Sequence, residues 1–268
     1  NAAVQDAYEP GSTFKVVTLA AALEDAVVPL ADKIFCENGK FDIVPGVTIS
    51  DHDPRGDLDM REILQHSSNI GMAKIAERVG ASRFYRMSRA FGFANRSGLA
   101  LPGETAGEIK PLSDLTKVAL AASSYGYGVG VSALQMLSAY SAIANGGTLY
   151  EPSIVSDGRK PSRVRRVASP RTIAALQEML ENVVESGTGL AARIQGYRVA
   201  GKTGTSRKLD RKSGKYSQSQ YVASFAGFSW QARRFPVCSS SPLRRGPTTL
   251  CSPRPPRPDM RRRTPWAP

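Results

Sequence analysis

Residues 13–24 read TFKVVTLAAALE. The stretch favours helix and is apolar nearly all round, so such a helix has to lie inside the fold. Pro10 and Gly11 break whatever precedes it, and Pro29 follows its end. Covering a helix on every side takes a sizeable core. A chain of 268 residues can supply it, as one large domain or two small ones.

The remaining elements read as a mixture of helices and strands. Asp59-Met60-Arg61-Glu62 has the spacing of a capping box and predicts a helix to about Gln65. Ser67-Ser68-Asn69 interrupts, and a second helix over 70–79 stops at Gly80. Ser82 is expected to cap a helix over 83–90, Ser132 one that ends at Asn145-Gly146-Gly147, and Ser169-Pro170 one that runs to about Glu185. Residues 34–58 hold short β pieces and turns, and residues 98–112 read as loop. Two β runs, 197–205 and 221–228, are joined by a polar stretch with Ser213-Gly214 near its tip. They predict an antiparallel hairpin.

Charge excludes one class of function. The formal net charge is +13, but nine arginines against Asp259 in residues 231–268 account for +8 of it. The rest is only mildly basic and carries no nucleic-acid motif, so no nucleic-acid partner is expected. The two histidines and three cysteines are scattered, which points to no metal site and no cofactor. His66 reads as a partly buried helix-end histidine. No apolar run is long enough to cross a membrane.

Three short motifs carry chemistry: Ser12-Thr13-Phe14-Lys15, Ser67-Ser68-Asn69 and Lys202-Thr203-Gly204-Thr205. A serine hydroxyl needs an adjacent base to act as a nucleophile. Ser12 and Lys15 lie one helical turn apart, so Lys15 can take the Ser12 proton if its amine is neutral. Burial and a second cation both favour the neutral amine, and Lys202 can be that cation. A helix N-terminus at Ser12 favours developing negative charge. Ser67 and Asn69, between two helices, can project into a cleft. Lys202 with the hydroxyls of Thr203 and Thr205 can hold a carboxylate, and Gly204 leaves room for a peptide to pair alongside.

EPGSTFK, QHSSN, SSYGYGVGVSALQ, ESGTG and GYRVAGKTGTS all resemble stretches of class B penicillin-binding proteins, most closely the cell-division type. The resemblance covers residues 1 to about 230. It implies an α+β fold of the serine β-lactamase/D,D-transpeptidase kind: an antiparallel sheet flanked by helices, with a helical subdomain, here cut short at both ends. The implied activity is a peptidoglycan D,D-transpeptidase working through a serine acyl-enzyme. Ser12 is then the nucleophile and Lys15 its base. Ser67 relays protons, Asn69 binds the substrate backbone, and the N–H groups of Ser12 and Thr205 form the oxyanion hole. Implied partners are stem peptides, a lipid-linked precursor, β-lactams, a glycosyltransferase and division proteins. The implied place is the outer side of the inner membrane, with an anchor outside this chain. Tyr125-Gly126-Tyr127-Gly128 reads first as a turn and second as a substrate contact. A serine β-lactamase would need a water-activating glutamate, for which Glu104 and Glu108 are the loop candidates; a sensor module without transferase activity is the other reading.

Composition changes at about Trp230. Residues 231–268 hold nine of the 18 prolines, and proline-rich sequence is a poor central strand. A frame shift by one base turns serine codons of the TCN type into codons for Phe, Leu, Ile or Val, and would so turn Cys238-Ser239-Ser240-Ser241 into four apolar residues. Residues 231–268 are therefore expected to be a shifted-frame or unstructured tail, with the strand and closing helix of such a domain missing and the chain in this form poorly folded and inactive.

Overall fold

A computed structural model describes residues 1–99, 101–155, 158, 160–210, 215–230 and 236–242. Its helices are α1 (Ala2–Gln5), α2 (Lys15–Glu24), α3 (Met60–His66), α4 (Asn69–Val79), α5 (Ala81–Ala90), α6 (Lys117–Ser124), α7 (Ala133–Ala144) and α8 (Pro170–Ser186). Its strands are β1 (Ile34–Phe35), β2 (Lys40–Val44), β3 (Val47–Ser50), β4 (Asp57–Leu58), β5 (Glu108–Ile109), β6 (Val129–Gly130), β7 (Thr148–Tyr150), β8 (Arg163–Arg166), β9 (Val199–Asp210), β10 (Lys215–Ser229) and β11 (Pro236–Pro242). The mixed α+β architecture expected from the sequence is present.

The apolar stretch is buried as its pattern requires. Residues 15–22 are all buried, and α2 packs against α4, α5, α6 and α8. Each of its large apolar side chains contributes about 1.5–3 kcal/mol on leaving water. The α-helix begins only at Lys15, however. Gly11–Phe14 is a 3₁₀ turn ahead of it. In a 3₁₀ turn, side chains three apart eclipse, which stacks Ser12 over Lys15.

Local signals place the other helices well. Asp59 and Glu62 form the reciprocal capping box, Ser132 and Gln135 form another, and Ser169 caps α8 with Pro170 at its first position. Ser82 does not cap α5. Gly80, at φ 79 and ψ 155, ends α4 and starts α5 with nothing between, so Ser82 lies inside the helix. The segment expected as loop contains β5, paired antiparallel with β6.

The main sheet is antiparallel in the order β11-β10-β9. Its β9–β10 hairpin is longer than the two β runs, with a register shift between Tyr216 and Tyr221; the expected tip at Ser213-Gly214 lies outside the described residues. The strand expected to be missing is formed: β11 pairs with β10 from Phe228↔Pro236 to Val222↔Pro242. A ladder is made by backbone groups, and the two prolines fall at the strand's ends on an edge, where a missing N–H is tolerated. Residues 15–22 of α2, against which such a strand and closing helix would pack, are buried. The tail arginines from Arg244 onward and Cys251 lie outside the described residues.

Candidate active site

The nucleophile candidate sits in the 3₁₀ turn, and the turn is held from both sides. Behind it, Gly11 N–H donates to Gly126 O at 3.1 Å. Gly126, at φ 87, is the turn residue of Tyr125-Gly126-Tyr127-Gly128, and a Cβ there would lie 2.1 Å from Gly11 O. In front, β9 crosses the turn. A Cβ on Gly204 would meet Pro10 O at 2.7 Å and Thr13 Cγ2 at 2.9 Å. The space that Gly204 keeps open is thus filled by the nucleophile turn, not by an approaching peptide. Peptide pairing is still open to β9, because among the described residues its only sheet partner is β10.

Ser67 comes from the break between α3 and α4. It closes α3 in the left-handed region, at φ 61 and ψ 35, a conformation that costs a non-glycine residue about 1–3 kcal/mol. Its Oγ donates to Ser12 Oγ at 3.0 Å. Ser68, next in sequence, does the routine capping of α4 through Gly71 N–H. Asn69 is the first residue of α4 rather than part of the loop.

Lys15 is fully buried beneath these groups. Its Nζ donates to Ser67 O, to Ser67 Oγ at 3.1 Å and to Asn69 Oδ1 at 2.9 Å. Those three bonds match the three protons of an ammonium. The connection from Lys15 to Ser12 therefore runs through Ser67 Oγ, whereas the sequence suggested a direct contact. Burial pushes the Lys15 amine well below its usual range, the Lys202 cation pushes it further down, and Asp51 pulls it back up. Asn69 Nδ2 donates to Ser50 O at 3.1 Å, so both ends of that amide are engaged in holding Lys15.

Lys202 is the fourth residue of β9, near its start. Strand alternation points Lys202, Gly204 and Ser206 inward and leaves Thr203 partly exposed and Thr205 exposed. Lys202 Nζ donates to Thr188 Oγ1 and Thr203 O, both at 3.1 Å, and to Thr203 Oγ1 at 3.3 Å. Burial drops its amine to about 7.

Two residues of the site escaped sequence reasoning. Asp51, just after β3, accepts from Ser68 Oγ, Asn69 N–H and Ile70 N–H, and so fixes the start of α4 and the turn that carries Ser67. Nothing local marks it. Thr188 lies in ESGTG, which carried family resemblance but no role; its N–H donates to Gln65 O, tying the end of α3 to the lysine of β9. Glu104, in contrast, is held by Ser97 N–H at 2.6 Å as a loop brace, and Glu108 pairs in β5. His66 ends α3 and is partly buried; desolvation and Arg55 lower its pKa.

The model of the penicillin binding protein transpeptidase domain matches residues 1–239. The chain belongs to this family. The transpeptidase domain of penicillin-binding protein 3 from Burkholderia pseudomallei superposes with a TM-score of 0.79 at 35% identity, over 85% of this chain and 69% of that one. Penicillin-binding protein 3 of Mycobacterium tuberculosis in complex with ampicillin gives 0.75 at 32%, over 85% and 54%. Among curated relatives, stage V sporulation protein D of Bacillus subtilis is 37% identical over 85% of this chain and 37% of its own length. PbpB of M. tuberculosis is 34% identical over 85% and 36%. The chain thus spans under two fifths of the length of these curated relatives. The family match runs past residue 230 into β11, beyond the boundary read from composition.

Proposed function

We propose that this chain is the catalytic domain of a penicillin-sensitive peptidoglycan D,D-transpeptidase. The observation that carries the reading is the chain of contacts from a buried, base-prone lysine through Ser67 to Ser12. With Lys15 neutral, Ser12 gives its proton to Ser67 Oγ as Ser67 gives its own to Lys15. Ser12 Oγ then bonds to the carbonyl carbon of the penultimate D-alanine residue. The oxyanion is held by the N–H groups of Ser12 and Thr205, whose segments run side by side: a Cβ on Gly11 would lie 3.0 Å from Thr205 O. As the C–N bond breaks, the proton returns by the same route to the departing D-alanine. An amine of a second stem peptide takes the acyl group and frees Ser12.

Lys202 and the hydroxyls of Thr203 and Thr205 receive the terminal carboxylate. An anion beside Lys202 would favour its charged form and so keep Lys15 neutral. Asn69 holds Lys15 in the free protein and offers its second amide proton to the substrate backbone. β-Lactams acylate the same serine. The wider setting proposed with this reading is a membrane anchor elsewhere in the full-length protein, action outside the cytoplasmic membrane, lipid-linked precursor as donor, and a glycosyltransferase and division proteins as partners. Fractionation of the full-length gene product tests the location, and a cytosolic protein would refute it.

The direct test is labelling with a fluorescent penicillin followed by peptide mapping. The label is expected on Ser12 and absent from Ser12→Ala. Label on any other residue of the unmodified protein refutes the assignment.

A further inference from the structure

Lys202 has no free direction in which to touch a ligand. It is fully buried. The three positions around its nitrogen are taken by Thr188 Oγ1, Thr203 O and Thr203 Oγ1, at 3.1, 3.1 and 3.3 Å. What faces outward is the pair of hydroxyls in front of it: Thr203 is partly exposed and Thr188 is exposed. Thr203 Oγ1 donates to Thr188 Oγ1 at 3.2 Å. A hydroxyl has two lone pairs and one proton. With Lys202 and Thr203 both donating to it, the Thr188 oxygen has its lone pairs engaged and its proton left over. Among the described residues that proton has no acceptor.

The loop that carries Thr188 holds it in place. Thr188 N–H donates to Gln65 O at 3.2 Å, and Gly189 N–H donates to Val183 O at 2.9 Å. A Cβ on Gly187 would lie 2.6 Å from Gln65 O, and one on Gly189 would lie 3.1 Å from Val183 O. The chain on either side of Thr188 is thus pressed against the ends of α3 and α8. A donor that is fixed, exposed and backed by a buried cation is matched by an acceptor with negative charge and no proton, which describes a carboxylate. Two hydroxyls 3.2 Å apart can meet the two oxygens of one carboxylate, because the Thr203 proton is free to rotate from Thr188 to the second oxygen.

We propose that the Thr188 hydroxyl donates directly to the terminal carboxylate of the acyl donor and so helps to select donors that carry one. The proposal rests on the transpeptidase reading and adds to its carboxylate site a residue from outside the three motifs. Lys202 supplies positive charge from behind, and Thr188 and Thr203 make the contacts. A donor whose end is neutral leaves the Thr188 proton with a weaker acceptor and gains less from the buried cation.

The test compares acylation by benzylpenicillin and by its methyl ester, which share the reactive ring and differ in the carboxylate. The ratio of the two second-order rate constants removes changes in the activation of Ser12. Thr188→Val, which keeps the shape and removes the hydroxyl, is expected to lower the acid-to-ester ratio about tenfold, the scale of one charge-assisted hydrogen bond. Thr188→Ser keeps a hydroxyl and should keep the ratio. Thr188→Ala gives the same reading if Thr188→Val does not fold. To separate direct contact from an effect through the lysine, Thr188→Val is repeated in Lys202→Met, where the ratio should still fall severalfold. An unchanged ratio, the same fall in Thr188→Ser, or a fall that vanishes in Lys202→Met overturns the proposal. If the unmodified protein is acylated by neither compound, or equally by both, the transpeptidase reading with its carboxylate site fails, and the proposal falls with it.

Discussion

Replacing Gly126 with alanine tests how the nucleophile is positioned. Two costs add. At φ 87, any side chain is strained by about 1–2 kcal/mol. The new Cβ would also lie 2.1 Å from Gly11 O and 2.7 Å from Gly11 N and C, far inside contact distance, and all three are backbone atoms that no rotamer change can clear. Relieving such overpacking costs about 1–3 kcal/mol more. The total is about 2–5 kcal/mol, or roughly 5–15 °C in Tm for a domain of this size. Gly196 supplies the control. It has φ 81 and nothing within 4 Å of a Cβ, so Gly196→Ala carries the strain alone. The more telling readout is catalytic. Gly11 can escape only by moving, and Ser12 follows it; a displacement of about 1 Å can cost about a hundredfold in rate. Differential scanning calorimetry and the second-order rate constant of penicillin acylation should therefore separate the two variants. Gly126→Ala should melt lower and acylate about a hundredfold more slowly, and Gly196→Ala should acylate normally. Equal acylation by both would show that Gly126 does not position Ser12.

Four further outcomes follow. Asp51→Asn should lose about 1–2 kcal/mol by weakening the N-terminal cap of α4. It should also move the alkaline rise of the acylation rate to lower pH, because the charge that lifts the Lys15 pKa is gone; an unchanged melt and profile would contradict this. Lys202→Met should move that rise to higher pH, since the cation that lowers Lys15 is removed, and a stopped-flow pH profile checks the direction. Lys202 also makes stability depend on pH. Its folded value of about 7 lies below its unfolded value of about 10.4, so between them the unfolded state binds more protons and stability rises with pH; urea midpoints should climb from pH 7 to 9.5, less so in Lys202→Met. Finally, genomic DNA read one base out of frame past Trp230 should encode apolar residues at 238–241 with no early stop, and the protein made in that frame should melt higher; an early stop codon in the shifted frame refutes the frame-shift reading.

Features whose cause is local could be read before the structure was known. The capping box at Asp59, the cap at Ser132, the Ser169-Pro170 start and the apolar helix all follow from side chains within a few residues of where they act. Ser12, Lys15, Ser67, Asn69 and Lys202 stood out in the sequence as candidates; the fold joins the first four by hydrogen bonds and sets Lys202 where its charge acts on Lys15. What could not be read depends on contacts across the fold. Asp51 is 17 residues from Ser68, and Thr188 is 14 from Lys202. The route from Lys15 to Ser12 through Ser67 depends on a left-handed serine that no pattern announces. Gly204 was assigned the wrong neighbour for the same reason: its close contacts come from Pro10 and Thr13. The composition break near Trp230 was visible, but pairing of β11 is decided by backbone groups, on which composition is silent.

The central claim is that Lys15 activates Ser12 by way of the Ser67 hydroxyl. Ser67→Ala removes that hydroxyl and leaves the carbonyl that also holds Lys15. The rate constant for acylation by a labelled penicillin, measured on folded protein at one pH, decides the matter. Loss of the relay should cost about 10²–10⁴ in that rate, the usual worth of a positioned proton-transfer group. Acylation of Ser67→Ala within a few fold of the unmodified protein would mean that Lys15 reaches Ser12 directly, and the relay would be wrong.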